Sequence, residues 1–109
     1  MKDKLVKLLS CYNMCAIAET KEGNFYEGIT IENSFGEEII NAITMAISNS
    51  VLNNEEITAI YFMSKKEYKL SIEVKEAILQ LVPRSALFNK IEINGQMKIY
   101  TYEEILKEK

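Results

Sequence analysis

The run of residues 57–63 limits the fold of this chain more than any other feature of its sequence. It reads ITAIYFM, is almost entirely apolar, and suits a β-strand that is buried on both faces. The elements predicted around it follow the order helix, hairpin, helix, strand, helix, strand, strand, helix. Because strands separated by helices require crossover connections, we predict an α/β fold with three α/β/α layers and a mixed sheet of about five strands.

Helix caps and turn residues give the bounds of these elements. Ser34 followed by Glu37, and Thr101 followed by Glu104, match the capping box that starts a helix. Ser71 is a further candidate N-cap. In the second helix, the core-facing stripe is expected to contain Ile39, Ile43, Ala46, Ile47 and Val51. The predicted helices span residues 2–9, 35–52, 72–82 and 102–106, and the predicted strands span 12–20, 25–32, 57–63, 87–93 and 97–100.

Size and charge exclude several classes of protein. A chain of 109 residues predicts one domain, 1–109. No apolar run approaches the ~18 residues of a membrane span, and the N-terminus lacks a signal-peptide pattern, so we expect a cytoplasmic protein without a membrane partner. A net charge of −3 argues against a nucleic-acid partner. Lys65, Lys66 and Lys69 are interpreted as a solvated basic loop.

The absence of histidine removes most common catalytic and metal sites. A chain without histidine has no Ser-His-Asp triad, no Cys-His pair and no imidazole ligand. Its two cysteines, Cys11 and Cys15, are too few for an ordinary zinc site within one subunit. If both lie on one strand, they are about 13 Å apart and too distant for a disulfide. We therefore expect two small buried thiols.

Four segments resemble the small cytidine deaminases. TKEGNFYEGITIEN (20–33) is similar to their hairpin, whose second strand ends in an N-x-E-N pattern. IINAITMAIS (39–48) aligns without a gap on the helix that carries their C-A-E motif. The buried strand ITAIYFMS (57–64) follows, and KIYTYEEIL (98–106) resembles their closing strand and Thr-capped helix. The resemblance covers most of the chain and implies a cytidine-deaminase-like fold.

The most specific motifs of that family are replaced here. The family holds a zinc ion with the Cys of C-A-E and two Cys of P-C-x-x-C, and the Glu of C-A-E carries the proton. By position, the first ligand becomes Asn41 and the catalytic Glu becomes Ile43. The second motif falls on 72–76, where the Cys positions become Glu73 and Glu76. The resemblance thus implies that zinc, the family's cofactor, has lost its ligands and that no catalytic residue remains.

Two other metal arrangements stay open at this point. Asn41, Glu73 and Glu76 could form an oxygen-rich site for Mg²⁺ or Mn²⁺, although glutamates in a first helical turn also complement the helix dipole without a metal. Alternatively, Cys11 or Cys15 could supply zinc ligands from the first strand.

The nucleoside side of the site is better preserved. The resemblance places Thr30 and Glu32 where the family's N-x-E residues hold the sugar hydroxyls, and Tyr12 where an aromatic residue lies near the base. We therefore expect either a retained nucleoside pocket or three residues with structural roles only.

The favoured hypothesis is a cytidine-deaminase-like protein without activity, which binds a nucleoside weakly or serves as a structural subunit. The resemblance implies a homo-oligomer, a dimer or tetramer, or a partnership with an active deaminase subunit. The alternative is an active nucleoside deaminase or hydrolase that uses an unusual metal or carboxylate site.

Overall fold

The apolar run predicted as a buried strand lies at the centre of the main sheet. A computed structural model describes residues 2–108. Its helices are α1 Lys2–Leu9, α2 Ala42–Leu52, α3 Ile72–Leu81 and α4 Tyr102–Lys107. Its strands are β1 Met14–Thr20, β2 Phe25–Ile29, β3 Ile31–Glu32, β4 Glu38–Ile40, β5 Ile57–Ser64, β6 Leu87–Ile91 and β7 Met97–Tyr100.

Five of these strands form one mixed sheet in the order β2-β1-β5-β6-β7. Strand β1 pairs antiparallel with both β2 and β5, and β7 pairs antiparallel with β6. Strands β5 and β6 are parallel because α3 crosses over between them. The predicted α/β class and the mixed five-stranded sheet are confirmed.

The sheet is covered on both faces, but unequally. One face packs against α2, α3 and α4, and its core includes Ile43, Ile47, Phe62, Ile78 and Ile105, all at most 1% exposed. The opposite face packs against α1 through a smaller cluster of Leu5, Leu9, Cys15, Ile17, Met63 and Ile91. Alternation along β1 and β5 sends successive side chains to the two faces, which explains why β5 is apolar almost throughout.

The start of α2 differs from the prediction. The predicted capping box at Ser34 and Glu37 is wrong, because the chain forms a β3–β4 hairpin there. The Asn33 side-chain oxygen accepts hydrogen bonds from the backbone N–H groups of Phe35 and Glu37, both at 2.9 Å. Gly36 has φ +79°, a left-handed conformation that glycine adopts without strain. Because of this turn, the helix does not start where the sequence pattern predicts it. Ile39, which was expected in the core, is 63% exposed.

The first predicted strand is shorter than expected. Strand β1 begins at Met14, because the backbone N–H groups of Cys11 and Tyr12 still bond to the Leu8 carbonyl at the end of α1. Cys11 is therefore exposed, which contradicts the prediction of two buried thiols, whereas Cys15 is buried and both thiols are free. The predicted strand 25–32 is interrupted at residue 30, and the strand predicted at 87–93 ends at Ile91.

A close approach of β2 and α2 holds the start of that helix against the sheet. A Cβ atom added to Gly28 would lie 2.0 Å from the Ala42 carbonyl oxygen and 2.7 Å from the Ala46 nitrogen. Both are backbone atoms, so only glycine permits this spacing. Within residues 2–108, no helix has the length and apolarity needed to cross a membrane.

Candidate functional site

The N-terminal end of α2 carries the position that corresponds to the family's first zinc ligand. Asn41 lies there as the N-cap, with extended backbone angles of φ −92° and ψ 140°. Its side-chain oxygen accepts hydrogen bonds from the backbone N–H groups of Ile43 at 2.8 Å and Thr44 at 3.4 Å. Its amide nitrogen donates to a Glu38 carboxylate oxygen at 3.0 Å and to the Tyr68 hydroxyl at 2.8 Å. The Asn41 side chain is therefore fully engaged inside the protein.

The backbone donors of this helix end are also engaged. A helix leaves its first N–H groups without intrahelical partners, and such groups often bind an anion or a ligand. Here the Thr30 hydroxyl accepts from the Ala42 N–H at 3.0 Å, and Asn41 accepts from the next two N–H groups. The Met45 N–H bonds to the Asn41 carbonyl. The helix start is capped by side chains of the protein itself.

Ile43, to which the sequence resemblance assigns the place of the family's catalytic glutamate, has its side chain in the core. It is 0% exposed and belongs to the cluster that α2 forms with the sheet. A side chain here contacts other apolar side chains rather than solvent. The position can bury a hydrocarbon group, and an ionised carboxylate here would be costly without a partner.

The two candidate positions on α3 lie at its solvent-facing start. Glu73 and Glu76 are both exposed, and Ser71 caps the helix by accepting from the Val74 N–H at 3.3 Å. Ser71 and α3 therefore confirm the sequence-based prediction. Glu73 lies in the first turn, where a carboxylate complements the helix dipole.

The starts of α2 and α3 border one cleft of about 440 Å³. Its lining residues are Glu38, Ile39, Ile40, Asn41, Thr44, Ser71, Glu73 and Val74. Two of the four degenerate positions, Asn41 and Glu73, therefore meet in it. Glu38 was missed from the sequence because it fell within the wrongly predicted start of α2.

The residues present do not fit the zinc ion that the resemblance implies. Within residues 2–108, no group of three or more His, Cys, Asp or Glu side chains lies close enough to hold a metal ion. The arrangement of Asn41 with Glu73 and Glu76 also lacks three free ligands. It offers only two carboxylates, because the amide is already engaged in hydrogen bonds.

Cys15 faces the wrong side of the sheet to supply a ligand. Its thiol lies in the cluster under α1, opposite α2 and α3, and donates to the Leu5 carbonyl oxygen at 3.2 Å. Burial, together with Glu27, raises the pKa of the Cys15 thiol from 9.0 to about 11. A thiol held protonated by burial is a poor metal ligand, so the open alternative of a zinc ligand from Cys15 is not supported by the geometry.

Tyr68 is a polar residue of this site that sequence reasoning missed. Its hydroxyl accepts from Asn41, and its ring packs edge-on against Phe62 with centroids 6.4 Å apart. Burial of the ring raises the pKa of Tyr68 to about 12. No sequence motif identifies Tyr68, because it joins the site only through the hydrogen bond that its hydroxyl accepts from Asn41 in the folded chain.

The three predicted nucleoside-binding residues lie in different surroundings. Thr30 is 8% exposed, and its hydroxyl oxygen is used by the α2 cap. Glu32 is half-buried, and its carboxylate accepts a hydrogen bond from the Asn13 amide. Tyr12 is 39% exposed and lines a separate surface cavity with Leu8 and other residues. The structure thus brings Thr30 to the start of α2, but none of Tyr12, Thr30 and Glu32 lines the cleft between α2 and α3.

Solved structures provide the comparison for this arrangement. The sequence matches no protein-family model and no curated protein sequence. The fold matches cytidine deaminase from Burkholderia pseudomallei with a TM-score of 0.72 and 15% identity over 88% of this chain and 80% of that chain. The enzyme from Bacillus anthracis matches with a TM-score of 0.68 and 13% identity over 95% and 82%.

A third match extends over nearly the whole of both chains. Cytidine deaminase from Mycobacterium leprae aligns with a TM-score of 0.65 and 14% identity, covering 97% of this chain and 97% of that one. At these identities the similarity concerns the backbone arrangement. The chain therefore resembles the cytidine deaminases and has their fold.

Proposed function

We propose that this chain is a cytidine-deaminase-like protein that has lost zinc binding and deaminase activity. The observation that carries the proposal is the state of Asn41, whose side chain caps α2 and bonds to both Glu38 and Tyr68. A side chain so engaged has no free donor atom for a metal. It stabilises the helix start in the place where the family's thiolate would hold zinc.

The neighbouring residues support the same proposal from chemistry. Hydrolytic deamination uses a metal-activated water and a carboxylate that carries protons. Ile43 carries no proton and is fully buried. Glu73 is exposed at the mouth of the cleft, where water keeps a carboxylate solvated.

The test combines metal content with turnover. We expect protein purified without chelators to contain substoichiometric zinc and to leave cytidine unchanged, also after addition of Zn²⁺, Mg²⁺ or Mn²⁺. The alternative, an enzyme with a carboxylate site, requires turnover that Glu73→Gln or Glu76→Gln abolishes and Glu108→Gln does not. Turnover with that dependence would overturn the proposal.

A weak nucleoside site remains part of the proposal. The resemblance assigns Glu32 to a sugar-binding position, and in β3 its carboxylate accepts a hydrogen bond from the Asn13 amide. The test is a thermal-shift titration with cytidine and uridine. Ligand at ~100 times its dissociation constant adds about 2.7 kcal/mol, which raises the Tm of a domain of this size by roughly 10 °C or more. A flat response to millimolar nucleoside would restrict the role to that of a structural subunit.

We further propose that the chain forms a homo-oligomer in the cytoplasm. The β3–β4 hairpin presents apolar side chains to solvent, with Phe35 86%, Ile39 63% and Ile40 40% exposed. Such a cluster is typical of a protein–protein contact, and most oligomers of soluble proteins join identical subunits. Sedimentation of the wild type and of Phe35→Ser tests this, since a monomeric wild type would refute it. Co-expression with an active deaminase would reveal mixed oligomers.

A further inference from the structure

A second cavity lies at the carboxyl ends of the two parallel strands. It has a volume of about 620 Å³ and is bordered by the loop after β5 and by the β6–β7 hairpin. Its size falls within the ~300–1,000 Å³ of small-molecule pockets. In α/β sheets, ligands commonly bind at the carboxyl ends of parallel strands, where the connecting loops diverge. The position and the size of this cavity are therefore those of a ligand site.

The cavity concentrates positive charge on an acidic protein. Lys65, Lys66, Lys90 and Lys98 line it together with only two glutamates, Glu67 and Glu92. The lining thus carries a net charge of +2, whereas the whole chain carries −3. These lysines come from two separate segments of the sequence, the loop after β5 and the β6–β7 hairpin. Their proximity therefore results from the fold and not from a single charged run.

The four lysines are not neutralised by the protein. Within residues 2–108, the ion pairs are Lys4 with Glu27 at 3.6 Å and Arg84 with Glu103 at 3.9 Å. None of the cavity lysines forms such a pair, although Glu67 and Glu92 lie in the same lining. Four like charges gathered beside only two carboxylates repel one another, and a bound anion would relieve this repulsion.

Lys90 is the best-placed of these groups. It is half-buried, and its ammonium group donates to the Tyr68 carbonyl oxygen at 3.4 Å. An ammonium group has three donors, so two remain for a ligand. Ile91 and Ile93 add an apolar part to the same lining, which suits a ligand with an uncharged portion beside its charged group.

We propose that this cavity binds the phosphate group of a small soluble molecule. Phosphate carries close to two charges at neutral pH and accepts hydrogen bonds on several oxygens at once, which matches several lysines better than a single carboxylate does. The concave lining and its two glutamates favour a small ligand over an extended polyanion. The cavity shares no lining residue with the cleft between α2 and α3, so the inference is independent of the proposed function.

The experiment is an NMR titration of the full chain with pyrophosphate and with uridine monophosphate, beside uridine as the unphosphorylated control. We expect saturable shifts of the backbone amides of residues 65–69 and 92–98 with the two phosphates and none with uridine. Lys90→Gln and the exposed Lys98→Gln should each weaken binding about tenfold or more, as charge-assisted hydrogen bonds are lost. Lys21→Gln, which removes an exposed lysine at the β1–β2 turn, should leave the affinity unchanged.

Several outcomes would overturn the inference. These are the absence of saturable shifts with both phosphates, shifts centred on residues 38–44, or equal weakening by Lys21→Gln and Lys98→Gln. A short single-stranded RNA whose affinity rises with its length would assign the lysines to a polyanion instead. Lys98 is exposed, so its variant remains informative even if Lys90→Gln fails to fold.

Discussion

The cleft at the starts of α2 and α3 and the basic cavity beside β5 and β6 lie on two sides of the same loop, and their polar groups are used in opposite ways. In the cleft, Asn41 and the N–H groups of α2 are satisfied from within the protein. In the basic cavity, Lys65, Lys66 and Lys98 form no ion pair with a carboxylate of residues 2–108.

Tyr68 joins the two regions, since its hydroxyl accepts from Asn41 while its carbonyl accepts from Lys90. The comparison teaches that a shared fold does not by itself fix which polar groups are paired. Within residues 2–108, the lysines of the basic cavity have no carboxylate partner, whereas the cleft keeps an exposed carboxylate, Glu73, at its mouth. The expected effects below test this contrast, beginning with the largest.

Introducing a glutamate at position 43, in the core beside the start of α2, should reduce the stability of the protein more than any other change. Ile43→Glu places a carboxylate where the side chain is 0% exposed, with no cation to pair with. We expect the free energy of unfolding in urea to fall by about 3–5 kcal/mol. Ile39→Glu, at a position 63% exposed, is the matched control and should change stability by less than about 0.5 kcal/mol. Equal effects of the two variants would mean that a side chain at position 43 reaches water and is not held in the core.

Removing the helix cap should have the next largest effect. Asn41→Ala deprives two backbone N–H groups and the Tyr68 hydroxyl of their partner. The expected loss is about 1–2 kcal/mol in urea unfolding. Asn41→Ser keeps a capping oxygen and should recover most of that loss. If the alanine variant were as stable as the wild type, Asn41 would be free for another role, and the proposed function would lose its main support.

Alkaline pH should weaken the contact between the two regions. Burial raises the pKa of Tyr68 from 10.0 to about 12, so the unfolded chain ionises before the folded one. The contribution of Tyr68 to stability is therefore complete below pH 10 and is lost as the pH rises toward 12. Tyr68→Phe should reduce this alkaline loss without removing it, because Tyr26, Tyr61 and Tyr100 also have raised pKa values. An unchanged loss in urea unfolding at pH 9 to 11 would contradict this account of Tyr68.

Substitution of a lysine that lines the basic cavity should have the smallest effect on the free energy of unfolding. Lys98→Gln removes an exposed, unpaired charge and should change the free energy of unfolding by no more than about 0.5 kcal/mol. Any change should be stabilising at low salt and vanish at high salt, because repulsion between exposed lysines is screened. A loss above about 1 kcal/mol would show that Lys98 supports the fold and would remove the contrast between the two regions.

Much of the fold was predictable because its signals are local. The buried strand β5, the Ser71 cap of α3 and the capping box of Thr101 and Glu104 all appear as predicted. The start of α2 was not, since Ser34 and Glu37 carry the letters of a capping box while Asn33 and Gly36 close a turn instead. A helix start at Ser34 and a turn closed by Asn33 and Gly36 both satisfy the local rules, and the pairing of β3 with β4 favours the turn.

The candidate site was predictable only in part. The resemblance alone predicts that Asn41 and Ile43 stand in place of a ligand and a carboxylate. That Asn41 bonds to Tyr68 depends on a residue 27 positions away, and its bond to Glu38 depends on the β3–β4 hairpin that the sequence did not predict. The separation of Tyr12 from the cleft likewise depends on where α1 ends.

The sequence by itself determined the α/β class and the caps of α3 and α4. Its composition, with no histidine and two cysteines, excludes every site that needs an imidazole. These properties depend on residue types and on neighbours within one turn. Only the tertiary structure decided which polar groups are paired. Asn41 became a saturated cap and the lysines of two distant segments became one unneutralised cavity, because hydrogen bonds and charge repulsion depend on distances in space that the order of residues does not specify.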